Sequence, residues 1–254
     1  MTRPRSAGER GMGCAVARRR MSNIQALSEA ALAASTRSQK ELSLFAHKAR
    51  ADINAAGRKL LEHGVLSPGR SFNAAVRVPG EEKFALGGFT PPDEELAPVA
   101  IVGFDGKYYE GKFKDSHLEL LEVYSAILSE RPLVNAAIHT HSHHIEAFAI
   151  AHRPIPVVYS SVLLEKTSEP IPVTPWEPRY SAEPFKQAMR INPAAPAILV
   201  GNHGPFAWGE TLDDVTRFLI ALEEAAQVIL KAEILGGAKP FPPGAHAALI
   251  EANQ

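Results

Sequence analysis

Residues 134–141 read VNAAIHTH, an apolar run with the length of a β-strand that ends in two histidines spaced two positions apart. Side chains of a strand alternate between its two faces, so His139 and His141 present their imidazoles to the same face. The two rings could therefore share one metal ion. Two hydrogen-bonded histidines of the core are the alternative interpretation of this spacing.

A third histidine, His203, follows the apolar segment AILVG and lies next to a glycine. A turn histidine beside glycine is placed to point across a cleft, and three imidazoles leave positions on a divalent ion open, as catalytic sites require. A turn histidine that caps the local backbone is the alternative. We leave His143, His144 and His152 out of the predicted site, because imidazoles on a short helix more often meet solvent or a helix end than a metal.

Hydrophobic periodicity places this strand among alternating helices and strands. Apolar spacings of three and four predict helices from Ser22 to about His63 and from His117 to Ser129. Short strands are predicted at AAVRV, KFALG and APVAIVGF, with a hairpin turn at Asp105-Gly106. After residue 141 we predict, in order, a short helix from His143 to His152, the strand IPVVYS, a loop from Pro170 to Pro178, and two strands around a turn in AILVGNHGPFAWG.

The last long helix has recognisable signals at both ends. Thr211 is a predicted N-cap, and Asp214 occupies the capping-box position three residues later. Gly236-Gly237 ends the helix after Leu235. Helices before, between and after a run of short strands predict an α/β fold, a layered α/β/α domain whose central sheet is mostly antiparallel.

Composition limits the classes of protein to consider. A chain of 254 residues can bury one sizeable core, and 27 Lys and Arg against 28 Asp and Glu leave no basic field for nucleic acid or an anionic membrane. A single cysteine, Cys14, excludes an internal disulfide framework. No apolar stretch reaches the roughly 20 residues of a membrane span. We therefore predict a soluble, cytoplasmic protein with a small-molecule substrate.

Residues 1–21 differ from the rest of the chain, because they are basic, rich in glycine and without an apolar core segment of a secretory signal. We predict that these residues are a disordered extension, or that they were included because the start of the protein is assigned too far upstream. Residues 22–254 are predicted to form a single folded domain. Contact of this basic tail with nucleic acid is the alternative.

The segments IHTHSHHIEAFAIAHRPIP and LVGNHGPFAWGETLDDVTRFLIALEEAAQVIL closely resemble the class II aldolase/adducin superfamily. The resemblance covers roughly residues 42–243. It implies a class II aldolase-like fold, a homotetramer with active sites at subunit boundaries, and a catalytic divalent ion on His139, His141 and His203. The expected ion is zinc, one per chain; manganese, cobalt or iron would suit the same ligands.

The chain departs from the superfamily's aldolases at the residue that serves them as general acid/base. Those aldolases carry an acidic residue at the start of the helix that precedes the His-Thr-His strand. At this position the present chain has His117, preceded by Ser116. An imidazole differs from a carboxylate in charge and in its protonation near neutral pH. We predict that His117 is a proton donor; a fourth metal ligand and an exposed helix-start histidine are the alternatives.

The superfamily's phosphate-binding segment is altered as well. Its Asn-x-Ser-x-Arg pattern is replaced by the sequence NAAVR of residues 73–77, so the hydroxyl at position 75 is missing. This change favours a carboxylate ligand as much as a phosphate. The predicted anion-binding groups are Asn73, Ser71, Ser116 and the backbone amides of Gly87 and Gly88.

These departures, with GVLSPGRSFNAAVRVPG and EPIPVTPWEPR, resemble the decarboxylase branch of the superfamily. We therefore expect a decarboxylase of a small hydroxylated aromatic or oxo/hydroxy dicarboxylate in a catabolic pathway. Tyr159 and Glu165 are candidates to reach a neighbouring subunit's site. A sugar-phosphate aldolase or epimerase is the first alternative. An adducin-like binding module is the second, and loss of the three histidines would be its signature.

Overall fold

The computed structural model describes residues 38–89, 98–112, 118–159, 166–178 and 181–252. The described residues from Lys40 onward belong to one compact unit. The predicted extension over residues 1–21 lies outside the described residues. So do three predicted site residues, Ser116, His117 and Glu165.

The described part of the chain forms one eight-stranded sheet. Its strands follow the order β4-β3-β2-β1-β5-β8-β7-β6, and every neighbouring pair is antiparallel except β6 and β7. The strand bounds are β1 (Phe72–Arg77), β2 (Lys83–Phe89), β3 (Val99–Gly103), β4 (Tyr108–Glu110), β5 (Ala136–His139), β6 (Val173–Thr174), β7 (Ala197–Val200) and β8 (Pro205–Gly209). The mostly antiparallel sheet predicted from the sequence is confirmed.

Helices cover both faces of this sheet. The described helices are α1 (Gln39–Glu62), α2 (Leu118–Glu130), α3 (His143–Ile150), α4 (Ala182–Ile191), α5 (Leu212–Ile234) and α6 (Ala245–Ala252). One buried cluster joins a sheet face to α1, α3 and α5, and a second joins the opposite face to α2 and α4. Along β5, Ala136 and Ile138 belong to the first cluster and Ala137 to the second, as strand alternation requires. The layered α/β/α prediction is therefore confirmed.

The predicted turn and cap residues have the expected geometry. Gly106, in the hairpin between β3 and β4, has a φ of 80°. The Thr211 hydroxyl accepts a hydrogen bond from the backbone N–H of Asp214 at 3.1 Å. At the other end of α5, the N–H of Gly237 donates to the carbonyl of Ala232 and that of Gly236 to Glu233, a Schellman arrangement.

Two local predictions are wrong or incomplete, and two helices, α4 and α6, were not predicted. The segment IPVVYS forms no strand over residues 155–159; Ile155 makes only an isolated bridge with Ile171. The predicted loop from Pro170 to Pro178 contains β6, and helix α6, which buries no residue, was not predicted.

None of the described helices combines the length and apolar character that crossing a bilayer requires.

Candidate metal centre

Three antiparallel strands bring the predicted histidines to one end of the sheet. His139 is the last residue of β5, where it pairs with Asn73 of β1 on one side and Phe206 of β8 on the other. His141 follows two residues later. His203 lies in the tight turn between β7 and β8, where its N–H donates to the carbonyl of Val200 at 3.0 Å.

The three imidazoles form one cluster, called here the histidine triad. One ring nitrogen from each of His139, His141 and His203 lies within 4.8 Å of the other two. The Nε2 atoms of His139 and His203 are 3.2 Å apart. His139 and His141 are buried, whereas His203 is only partly buried. The triad therefore opens to solvent on the side of His203.

Hydrogen bonds fix the proton positions of two rings. The Nδ1 of His139 lies 2.9 Å from the carbonyl of Pro205, to which it donates, so the lone pair is on Nε2. The Nδ1 of His141 lies 2.6 Å from Oε1 of Glu146 and 2.9 Å from Nη2 of Arg70. An Nδ1 that carries a proton cannot accept from Arg70, and the shorter, charge-assisted contact is the one to Glu146. His141 therefore also directs an Nε2 lone pair away from its Nδ1 partner.

The electrostatics keep the rings of His139 and His203 neutral. Burial, followed by the charges of His141 and His203, places the pKa of His139 well below its usual value of 6.5. Burial and the charge of His141 lower the pKa of His203 to about 4. Burial alone would raise the pKa of Glu146, but its hydrogen bonds and charge interactions with His141 and Arg70 lower it overall. Neutral imidazole is the form that binds metal.

The triad fits a divalent transition metal. Nitrogen ligands bind zinc at about 2.0–2.1 Å, so three of them on one ion lie within roughly 4 Å of one another. The observed spread of 4.8 Å or less needs only modest rotation of the rings. Three nitrogen donors also leave at least one position on the ion for a substrate oxygen.

Two of the predicted anion-binding residues lie beside the triad in the sheet. Asn73 is buried and pairs with His139 across β1 and β5; its Oδ1 accepts a hydrogen bond of 2.6 Å from the hydroxyl of Tyr124. Gly88 pairs with Asn73 from β2. A Cβ atom at Gly88 would lie 2.3 Å from the carbonyl oxygen of Phe72, so this close approach requires glycine.

The remaining predicted residues have other positions. A Cβ atom at Gly87 would point at Val99 of β3, 2.7 Å away. Ser71 precedes β1 and is half-buried. The Tyr159 hydroxyl, on a half-buried segment, donates to Glu224 of the same chain at 3.0 Å. Ser116, His117 and Glu165 lie outside the described residues, so their roles stay predictions.

The histidines that we left out of the site have partners of their own. Ring nitrogens of His143, His144 and His152 contact, respectively, Ser67 at 2.7 Å, Glu223 at 2.8 Å and Asn202 at 2.6 Å. None of the three belongs to the histidine triad.

Sequence analysis missed Arg70 and Glu146. Glu146 lies on α3, five residues after His141, and the available signal was that metal-binding histidines usually donate their second N–H to a carboxylate or carbonyl. Arg70 lies in the loop before β1 and carries no local signal at all.

Comparisons with known proteins agree with this geometry. The family model for the class II aldolase and adducin N-terminal domain matches residues 29–230. L-ribulose-5-phosphate 4-epimerase UlaF of Salmonella paratyphi B is 28% identical over 149 residues, which span 51% of this chain and 60% of the epimerase. The chain thus matches less than two thirds of that relative's length.

Two solved structures share the fold. L-fuculose 1-phosphate aldolase superposes with a TM-score of 0.67 at 19% identity, over 80% of this chain and 95% of the aldolase. YgbL of Escherichia coli, described as an aldolase/epimerase/decarboxylase, superposes with a TM-score of 0.64 at 19% identity, over 81% of this chain and 99% of YgbL. At these identities the likeness concerns the fold.

Proposed function

This chain belongs to the class II aldolase and adducin N-terminal domain family, and we propose on that premise that it is a divalent-metal-dependent enzyme. Its reaction makes or breaks a carbon–carbon bond next to an oxygen of a small anionic substrate. The observation that carries the proposal is the histidine triad, with ring nitrogens within 4.8 Å of one another. An adducin-like module without catalysis would not need three converging imidazoles.

A sugar-phosphate aldolase or epimerase is the first candidate. It is supported by the sequence similarity to a 4-epimerase and by the fold shared with L-fuculose 1-phosphate aldolase. Retro-aldol cleavage and the 4-epimerase reaction can both pass through the same kind of enolate, so one site can serve either. This candidate replaces decarboxylation as our first choice.

Decarboxylation of a hydroxylated aromatic or oxo/hydroxy dicarboxylate is the second candidate. It is supported by His117, where the aldolases carry an acidic residue, and by the missing hydroxyl at position 75. Loss of CO2 leaves electrons on carbon that must be delocalised onto a neighbouring oxygen, as in the retro-aldol reaction. The two candidates therefore share a site and differ in the group that leaves.

A bound divalent ion, which we propose to be zinc, would supply a Lewis acid that polarises a substrate oxygen. His139, His141 and His203 would hold it, and the bond from His139 to Pro205 keeps that ring in a fixed orientation. Tyr124 holds the Oδ1 of Asn73, which leaves the amide N–H groups as donors toward a substrate anion. His117 would exchange a proton with the carbon from which a fragment departs.

The proposal is tested by a substrate screen of the metal-loaded protein. Ketose and pentulose phosphates and small hydroxylated aromatic dicarboxylates are each assayed for triose release, epimer formation and CO2 release. Triose or epimer from a sugar phosphate alone would establish the first candidate, and CO2 alone the second. Turnover that survives in a His139→Ala control would contradict both candidates.

A further inference from the structure

The residues behind His141 form an ion pair that the proposed reaction does not itself use. Oε1 of Glu146 lies 2.6 Å from Nδ1 of His141 and 2.8 Å from Nη2 of Arg70. The Glu146 side chain is only 16% exposed and that of Arg70 is 51% exposed. A largely buried carboxylate is thus held between a triad imidazole and a guanidinium that reaches solvent.

Glu146 also lies against the turn that carries His203. A Cβ atom placed on Gly204 would be 3.6 Å from Oε1 of Glu146, 3.6 Å from Cε1 of His139 and only 2.6 Å from the carbonyl oxygen of Thr140. Glycine at position 204 therefore allows the turn that carries His203 to lie close to the backbone of Thr140 and to Glu146. The same carboxylate oxygen that bonds His141 is packed next to the His203 turn.

The charges of this pair bear directly on a bound cation. A carboxylate that accepts the Nδ1 proton of an imidazole fixes the tautomer and makes Nε2 a more basic ligand. An unpaired carboxylate in a partly buried site would be costly, and the Arg70 guanidinium offsets that cost. The paired charges of Arg70 and Glu146 cancel, so the full double charge of the ion remains for an anionic substrate.

We propose that Glu146, held in place by Arg70, is a positioning residue that sets the metal affinity of the site through His141. The inference rests on the proposed metal-dependent function, but it concerns residues that the resemblance to the aldolases did not assign. Arg70, which also lies 2.9 Å from Nδ1 of His141, holds the carboxylate of Glu146 in place, and Glu146 acts through the ring of His141.

The test is metal affinity rather than turnover. We measure the dissociation constant for zinc by competition with a chromophoric chelator, and the visible absorption of the cobalt-loaded protein. Glu146→Ala is expected to weaken zinc binding by about 10- to 100-fold and to alter the cobalt spectrum. Glu146→Gln, whose amide oxygen can still accept the Nδ1 proton, should lose less affinity than Glu146→Ala.

Arg70→Met leaves the bond from Glu146 to His141 in place but removes the guanidinium. It should weaken zinc binding less than Glu146→Ala does, and adding it to Glu146→Ala should cost little more, because the two residues act as a unit. The matched control is Glu233→Ala, which breaks the exposed contact of Glu233 with Arg153 at 3.7 Å. This control should leave both the affinity and the cobalt spectrum unchanged.

Each result decides between the two proposals. If wild-type protein binds zinc and Glu146→Ala and Glu146→Gln, both folded by circular dichroism, bind it equally well, the inference about Glu146 is wrong and the proposed function stands. If wild-type protein binds no divalent ion, both are wrong. Equal losses of zinc affinity in Glu146→Gln and Glu146→Ala would show that the negative charge of Glu146 sets the affinity, and that the tautomer of His141 does not.

Discussion

At the scale of single residues, the neutral state of His139 and His203 is the feature with the clearest physical cause. His139 is 2% exposed and bonded through Nδ1 to a backbone carbonyl, and burial lowers its pKa. His203 is less buried, yet its pKa still falls to about 4. Both rings are therefore deprotonated throughout the neutral range without any metal.

This state has a consequence for the stability of the metal-free protein. The unfolded chain binds protons at its histidines once the pH falls below about 6.5. Folded His203 stays neutral until about pH 4, and the pKa of folded His139 is also well below 6.5 because the ring is buried. The unfolded state then binds more protons, so the free energy of unfolding should fall as the pH is lowered from about 6.5 toward 4. Urea unfolding at several pH values measures this fall.

The test variant for this pH series combines His139→Gln and His203→Gln in one protein. The control variant is His246→Gln, on α6. The double variant should show a shallower fall in stability over the same pH range, and His246→Gln should follow the wild type. An unchanged slope in the double variant would mean that other groups cause the acid sensitivity.

His117 carries the second prediction at this scale. If it exchanges a proton with substrate carbon, His117→Ala should keep its metal and lose at least about 100-fold in turnover, the usual contribution of a positioned general acid. Steady-state kinetics with metal analysis of the same sample measures both quantities. Loss of the metal from His117→Ala would make His117 a ligand, and full activity would remove it from the site.

Sequence could predict the triad but not its supports. The strand period of two aligns His139 with His141, and the glycine beside His203 marks a turn. Arg70 and Glu146 are 76 positions apart, and a charged residue in a loop or on a short helix usually meets solvent. Only the tertiary fold shows that they meet behind a triad histidine.

At the scale of elements, the start of α3 is stabilised from a distant helix. Ser142 occupies the N-cap position but makes no side-chain cap bond. Instead, the carboxylate of Glu223 on α5 accepts hydrogen bonds from the backbone N–H groups of His144 and Ile145, each at 3.0 Å. Glu223 thus accepts hydrogen bonds from two N–H groups that a helix start leaves unpaired, and it links α3 to α5.

Removal of this carboxylate should destabilise the fold. Glu223 is buried, with 7% exposure, so Glu223→Ala leaves two N–H groups at the start of α3 without their acceptor. We expect the free energy of unfolding to fall by about 1–3 kcal/mol, measured by urea unfolding at neutral pH. Glu233→Ala, an exposed position on the same helix, should change it by less than about 0.5 kcal/mol. Equal effects of the two substitutions would contradict the capping role.

The elements that the sequence predicted well have local signals, and those it missed depend on pairing across the sheet. The N-cap at Thr211 and the end of α5 at Gly236-Gly237 are determined by neighbouring residues alone. β6 lies in a Pro-rich segment, and only its parallel pairing with β7 makes it a strand. IPVVYS has strand-forming residues, but over residues 155–159 only Ile155 pairs, in a single bridge with Ile171.

At the scale of the whole molecule, the two ends of the central strands have different characters. The triad lies where β5 ends and β8 begins. A cavity of about 580 Å³ opens at the other end, against Arg77, Ala136 and Thr211. The proposed chemistry belongs to the histidine-lined end, where His203 is only partly buried.

Assembly is a further prediction at this scale. The resemblance to class II aldolases implies a homotetramer with sites at subunit boundaries, in which Tyr159 and Glu165 would approach a neighbouring site. Light scattering at micromolar concentration should then give about four times the mass of the chain. A fully active monomer would remove Tyr159 and Glu165 from the site. The Tyr159 hydroxyl would then act through its hydrogen bond to Glu224 of the same chain.

The central claim is that His139, His141 and His203 hold a catalytic divalent ion. Elemental analysis of the purified protein, together with activity before and after treatment with a chelator, tests it most directly. We predict close to one ion per chain, loss of the ion in His139→Ala and His203→Ala, and loss of activity whenever the ion is removed. A metal-free protein with full activity, or both variants retaining their metal, would contradict the claim.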